Sequence, residues 1–167
     1  MTPAPSPELT DAQRRLIVLV ANGASLKQIA AEPEIRLRPD GAHGAIGAVL
    51  AATGTHTLAH LAAWATAQRI VTRPTRPTEA LTTTPTLTRR HQQVLSGWAG
   101  GMTDEKLAAE LGIAQSTVRS YGKTVLATLG VRRTPQAVVV GVLTGLVLLS
   151  DINPAWPAKP LTAAVAL

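Results

Sequence analysis

The pattern of residues 87 to 147 occurs twice in this 167-residue chain, the other copy being residues 9 to 71. Leu9-Thr10 answers Leu87-Thr88, Gly23-Ala24-Ser25 answers Gly101-Met102-Thr103, and Ile29-Ala30-Ala31-Glu32 answers Leu107-Ala108-Ala109-Glu110, all 78 positions apart. After Leu37 the separation becomes 76. It then holds from Val49-Leu50 against Val125-Leu126, through Gly54 against Gly130, to Arg69-Ile70-Val71 against Gly145-Leu146-Val147. A repeat of this length constrains the fold to two similar small units. With 46% apolar residues, each unit has the material for a small core of its own.

The prolines divide the rest of the chain. We read residues 1–8 as a disordered tail, 9–71 as the first unit, 72–86 as a Pro/Thr-rich linker, 87–149 as the second unit and 150–167 as a C-terminal tail. Within each unit apolar residues recur at helical spacing, Gly, Pro and Thr/Ser punctuate them, and no strand-like alternation persists. The expected fold class is therefore all-α, with two tandem four-helix units. In the second unit the helices fall at roughly 88–99, 104–111, 116–129 and 135–147, and the fourth helix of the first unit at 57–69. Thr10 with Gln13 and Ser25 with Gln28 have capping-box spacing, Thr103 precedes an acidic first turn, and Pro135 suits a first-turn position. A short helix, a tight connection and a longer helix form a helix-turn-helix, whose second helix here is 116–129.

Leu87-Thr88, Val94-Leu95, Ala99, Gly101-Met102-Thr103, Leu107-Ala108, Leu111-Gly112-Ile113, Thr117-Val118-Arg119, Val125-Leu126, Leu129-Gly130-Val131 and Gln136-Ala137-Val138 together resemble the LuxR-type (GerE-like) helix-turn-helix DNA-binding domain. The first copy resembles the same family more weakly and reads as a degenerate second copy. The resemblance implies that Arg119, Ser120 and Lys123 face the bases of double-stranded DNA. Helical spacing agrees, since Arg119 and Lys123 lie one turn apart while Val118, Val125 and Leu129 point toward a core. Arg119 can bind guanine O6 and N7 bidentately. Lys106, Ser116, Thr117, Tyr121, Arg132 and Arg133 are candidate backbone contacts, with Arg89 and Arg90 beside them.

The sequence also departs from the family pattern. His91 and Lys106 stand where a Glu often closes a capping box, Ala114 replaces a usual capping Ser, and Tyr121 replaces a common His. Gly97 and Gly122 inside helices cost up to ~1 kcal/mol each relative to Ala. In the first copy the base-facing positions are His43, Gly44 and Gly47, and the run Gly41–Ala52 holds no Lys or Arg. Two readings stay open for it: a scaffold without direct readout, or a divergent reader using His43 and Arg38. Three glycines at 41, 44 and 47 penalise this helix by roughly 2–3 kcal/mol, which points to a close approach of its backbone to something.

Members of the resembled family commonly pair through the fourth helix. The helix at 135–147 is apolar nearly all round, so a face beyond its own core wants a partner. Leu58, Leu61 and Trp64 against Val139, Val142, Leu143 and Leu146 are the candidate interface. A 15-residue linker extends ~50 Å, more than the ~34 Å between half-sites, so an intramolecular pseudo-dimer is open to the chain, as is a homodimer.

The net charge of +6 suits a polyanion; residues 87–147 hold seven basic and three acidic side chains, residues 9–71 six and four. With no Cys there is no disulfide, thiolate site or cysteine nucleophile, which fits a reducing cytosol. The apolar run from Ala137 to Leu149 is too short to span a bilayer, and the N-terminus carries no secretory signal, so a bacterial cytoplasmic or nucleoid location is expected. His56 and His60 have metal-ligand spacing without a third ligand. No Ser-His-Asp arrangement or phosphate loop is present, so we expect no enzyme, cofactor or metal. Trp64 and Trp98 fall on core positions, and Trp156 is expected exposed or docked on a surface. No receiver or sensor segment is evident, so regulation would come through abundance, oligomerisation or another protein. The reading is a sequence-specific transcriptional regulator. The competing one is a protein-interaction module binding RNA polymerase, a sigma factor or another regulator.

Overall fold

A computed structural model describes residues 7–35, 41–73 and 86–156. Among them all regular structure is helical: α1 (Asp11–Ala21), α2 (Leu26–Ala30), α3 (Ala42–Thr53), α4 (Leu58–Ala67), α5 (Arg89–Ala99), α6 (Asp104–Leu111), α7 (Gln115–Leu129), α8 (Thr134–Leu143) and the short α9 (Leu149–Ile152). Helices α1–α4 and α5–α8 follow the same order. Residues 1–6 and 157–167 of the two tails and most of the linker lie outside the described residues, as does Arg38.

Local sequence explains most of the helix starts. Thr10 and Ser25 each close a capping box, the hydroxyls accepting from Gln13 and Gln28 N–H at 3.1 and 3.2 Å while the glutamine side chains accept from the cap N–H at 2.9 and 2.8 Å. Thr57, Thr88 and Thr103 cap α4, α5 and α6 through the hydroxyl alone. At Thr88 the departure to His91 is partly made good, because His91 Nδ1 meets the Thr88 hydroxyl at 2.8 Å. Gly54, Gly112 and Gly130 end α3, α6 and α7 in the left-handed conformation, where a side chain would strain the backbone.

The fourth helices end sooner than their apolar runs imply. α4 stops at Ala67 and α8 at Leu143, against expected ends at 69 and 147. Both stop by the same device. Arg69 and Gly145 take φ +60° and +81°, their N–H groups donate to Thr66 and Val142 carbonyls, and Val71 and Val147 then donate back to Ala65 and Gly141 carbonyls. Thr144 Oγ1 donates to the Val140 carbonyl at 2.7 Å as α8 closes. The apolar run Val138–Leu149 is thus a helix, a turn and the start of α9, and Leu146 sits half-buried in that turn rather than on a helix face.

One continuous core joins the two halves. α4 packs along α8, α1 also meets α8, and α5 also meets α4. Leu61, Ala62, Ala63 and Ala65 on α4 and Val138, Val139, Val140 and Val142 on α8 are at most 3% exposed. The surplus apolar face of α8 is therefore covered from within the chain. Burial of a side chain such as Leu61 or Val139 stabilises by ~1.5–3 kcal/mol.

Candidate nucleic-acid interface

The helix-turn-helix comprises α6, the Gly112–Ala114 turn and α7. Its inner face is set by Leu107 on α6 and by Val118, Val125 and Leu129 on α7, none more than 3% exposed. Trp98 of α5 lies behind both helices. Its indole Nε1–H donates to Asp104 Oδ1 at 3.4 Å at the start of α6, and its ring packs beneath Gly122 in the middle of α7. A methyl group on Gly122 would stand 2.8 Å from Trp98 Cζ2, and one on Gly97 would collide with Leu107. The two glycines that weaken these helices are thus places where helices approach too closely for a side chain.

Opposite that inner face, Arg119, Ser120 and Lys123 are exposed side by side on α7, with Gln115, Ser116 and Thr124 also exposed. Thr117 is half-buried. Tyr121 is half-buried too, with its ring edge-on to His91 at 5.3 Å between centroids. Ala114 gives α7 no side-chain cap, so the Gln115 and Ser116 N–H groups and the positive end of the helix dipole have no cap side chain, while the Thr117 N–H donates to the Ala114 carbonyl. Phosphate is the chemistry such an end accepts. Lys106 is exposed on the first turn of α6, Arg89 and Arg90 on the first turn of α5, and Arg132 and Arg133 in the loop after α7. The Arg132 and Arg133 N–H groups both donate to Gln136 Oε1 at 3.2 Å, which fixes that loop. The residues named from sequence as readers and backbone contacts therefore share α7, its uncapped start and the loops at its two ends, apart from Lys106, Arg89 and Arg90. Gln115 and Thr124 were not among them; their signal was helical spacing alone.

The corresponding face of α3 is uncharged. His43, Gly44, Gly47 and Ala48 are exposed, and space for a side chain at Gly44 or Gly47 is open for 4 Å around. The expected close approach of backbone at these glycines has no partner among the described residues. Gly41 is the N-cap of α3, so only two glycines burden the helix itself. Arg15, the first unit's inward-leaning cation, is held by Glu32 and Glu34 at 3.5 and 3.4 Å.

Of the expected interface residues, Leu61, Trp64, Val139 and Val142 are buried between α4, α8 and their neighbours, and Leu58 and Leu143 are half-buried. Sequence reading missed two further contacts at this seam. Gln136 of α8 packs on Gly23 and donates through Nε2 to the Asn22 carbonyl at 2.9 Å. His60 of α4 packs on Gly101 and stacks obliquely with Trp156, 6.1 Å between centroids. Burial, and secondarily the neighbouring His56, hold His60 below its ordinary pKa of 6.5. Its Nδ1 accepts from the His56 backbone N–H, an inward contact rather than a free ligand position.

No single helix among the described residues is long and apolar enough to cross a membrane. No match to the chain was found among curated proteins or among solved structures. Residues 85–140 match the family described as bacterial regulatory proteins, luxR family (GerE), a DNA-binding regulator family, and the match covers α5, α6, α7 and most of α8. Over this segment, all-helical and carrying its helix-turn-helix on α6 and α7, the chain is similar to the LuxR family of DNA-binding regulators.

Proposed function

We propose that the chain is a sequence-specific transcriptional regulator that binds double-stranded DNA through α7, with the first half acting as an intramolecular pseudo-dimer partner. The observation that carries the reading is the exposure of Arg119, Ser120 and Lys123 on one face of α7, directly opposite its buried Val118, Val125 and Leu129. In this account Arg119 reads a guanine, Ser120 and Lys123 read or flank its neighbours, and Ser116, Thr117, Lys106, Tyr121, Arg132 and Arg133 hold phosphates. The packing of α4 along α8 supports the pairing role, because it covers the surface through which a second chain would dock. The neutral face of α3 supports a single reading unit per chain.

The test is binding to a selected duplex as salt is raised. A reader loses affinity linearly in log salt, and Arg119→Ala costs roughly 1–3 kcal/mol while relaxing one base position. Weak binding that ignores both sequence and Arg119 would overturn the reading. A protein-interaction role for the first half, toward polymerase or another regulator, is favoured by one observation. A shallow depression between α2 and α3 is lined by Leu26, Lys27, Ala30, Ala31, Ala42 and His43, with Leu26 37% exposed. Duplex binding that survives loss of the first half's surface charges, together with polymerase capture abolished by Leu26→Glu, would support it.

A further inference from the structure

The seam between the two halves is closed by two contacts at equivalent places in the repeat: Gln136 also donates across the seam to the Asn22 carbonyl, while His60 holds by packing alone. Gln136 and His60 occupy the same place in the repeat, 76 positions apart, as do Gly23 and Gly101 at a separation of 78. Each side chain presses on the glycine of the other half, and both glycines have positive φ, +80° and +84°. Each also accepts a hydrogen bond from the backbone N–H four residues before it: Gln136 Oε1 from Arg132 and His60 Nδ1 from His56, both at 3.2 Å. The two halves thus hold each other by a reciprocal pair of latches about a pseudo-two-fold axis. One latch is a permanently neutral amide. The other is an imidazole.

We propose that His60 is an acid-sensitive latch: on protonation it releases its hold at Gly101 and loosens the pairing of α4 with α8. As an acceptor at Nδ1 the ring must be neutral, carrying its proton on the other nitrogen. A proton on Nδ1 removes the acceptor, turns the His56 N–H into a facing donor and places a charge in a half-buried seam. Among the described residues nothing there is set to receive that charge. The Gly97–Gly101 turn, α8 and Trp156 carry no ionisable group, and His56 adds only repulsion. The acidic and basic groups of the adjoining elements are engaged or turned away: Asp104 accepts from Trp98, Arg15 pairs with Glu32 and Glu34, His91 faces Tyr121, and Asp11, Arg14, His43, Arg69, Arg89, Arg90 and Asp151 are exposed. None of the acidic groups pairs with His60. Because the closed form holds the histidine below 6.5, the latch is fully engaged above that pH and is lost as pH falls from 6.5 through the lowered value. With one proton taken up on opening, the opening constant rises up to about tenfold per pH unit across that window.

The proposal does not depend on DNA binding. The chain has no cysteine, so Ala51→Cys and Ala127→Cys, at exposed positions on α3 and α7, can carry spin labels in the full chain without background. Distances would be measured by pulsed electron resonance from about pH 8 to about pH 5. A single distance above pH 7, with a longer population growing below 6.5 in the parent chain but not in His60→Gln, is the expected result. Gln136 shows that the repeat accommodates glutamine at this position. Equal growth in both chains, or none in the parent, overturns the proposal. Should His60→Gln not fold, the His60 ring can be titrated by NMR in the labelled parent. Protonation that tracks the longer distance supports the latch, and protonation with an unchanged distance refutes it.

Discussion

Alanine placed at two kinds of helical glycine in this chain should change stability in opposite directions. Gly44 and Gly47 lie on the exposed face of α3, where an added methyl group meets nothing within 4 Å, while Gly122 lies under Trp98, whose Cζ2 and Cη2 would stand 2.8 and 3.0 Å from the new carbon. Replacing an exposed mid-helix glycine gains up to ~1 kcal/mol, since alanine loses less backbone entropy on folding. Gly44→Ala with Gly47→Ala should therefore stabilise by up to about 2 kcal/mol, less in so far as Gly44 lies in the first turn. Gly122→Ala collects the same gain, but pressing a methyl group into a rigid indole costs about 1–3 kcal/mol, so it should destabilise by up to ~2 kcal/mol. Urea denaturation followed by tryptophan fluorescence reads all of these variants. An unchanged denaturant slope is required, because the comparison assumes that the joined core unfolds as one unit. In thermal melts the double variant should gain ~4–8 °C. Destabilisation by Gly44→Ala and Gly47→Ala would refute the reasoning, since it would mean that something packs on α3. Stabilisation by Gly122→Ala would refute the close approach of Trp98.

Other consequences are testable with the same preparations. Gln136→Ala removes the Nε2–H donated to the Asn22 carbonyl and the acceptor shared by Arg132 and Arg133, and should cost about 1–3 kcal/mol in denaturation. Leu61→Ala opens the fully buried centre of the α4 and α8 contact and should cost about 2–5 kcal/mol, with the loss seen in both halves by hydrogen exchange. Thr103→Ala deletes the cap on the Lys106 N–H and should cost about 1 kcal/mol, with little change in base preference measured by competition binding. Arg132→Ala should lower affinity evenly across duplex sequences and reduce the salt slope by about 1, whereas Arg119→Ala should alter preference at one base.

Much of this architecture was legible from residues alone. The capping pairs at Thr10–Gln13 and Ser25–Gln28 and the glycine after the second helix of the helix-turn-helix, Gly130, marked helix ends that the structure reproduces. The resemblance named Arg119, Ser120 and Lys123, helical spacing agreed for Arg119 and Lys123, and all three are exposed because the buried positions of α7 fix its rotation. The ends of the fourth helices did not. Apolar content continues through Leu149, and what stops α8 is a backbone device at Gly145 that Arg69 reproduces in α4 without a glycine to announce it. Nor did the glycines reveal their roles. Gly122 and Gly44 look alike in sequence, and only the neighbouring helix distinguishes a tight contact from an open face. The latches were hidden for a related reason: their partners are 113 and 41 positions away in the chain, beyond any local pattern.

The central claim is that one chain presents one DNA-reading helix, with its pairing surface already used internally. Selection of bound duplexes from a random pool by the purified full-length chain, with the stoichiometry of the selected complex measured by light scattering, tests it directly. The account predicts one short motif, dependent on Arg119, bound by one chain per duplex. Two equivalent inverted motifs bound by two chains, or no enrichment by a folded sample, would contradict it.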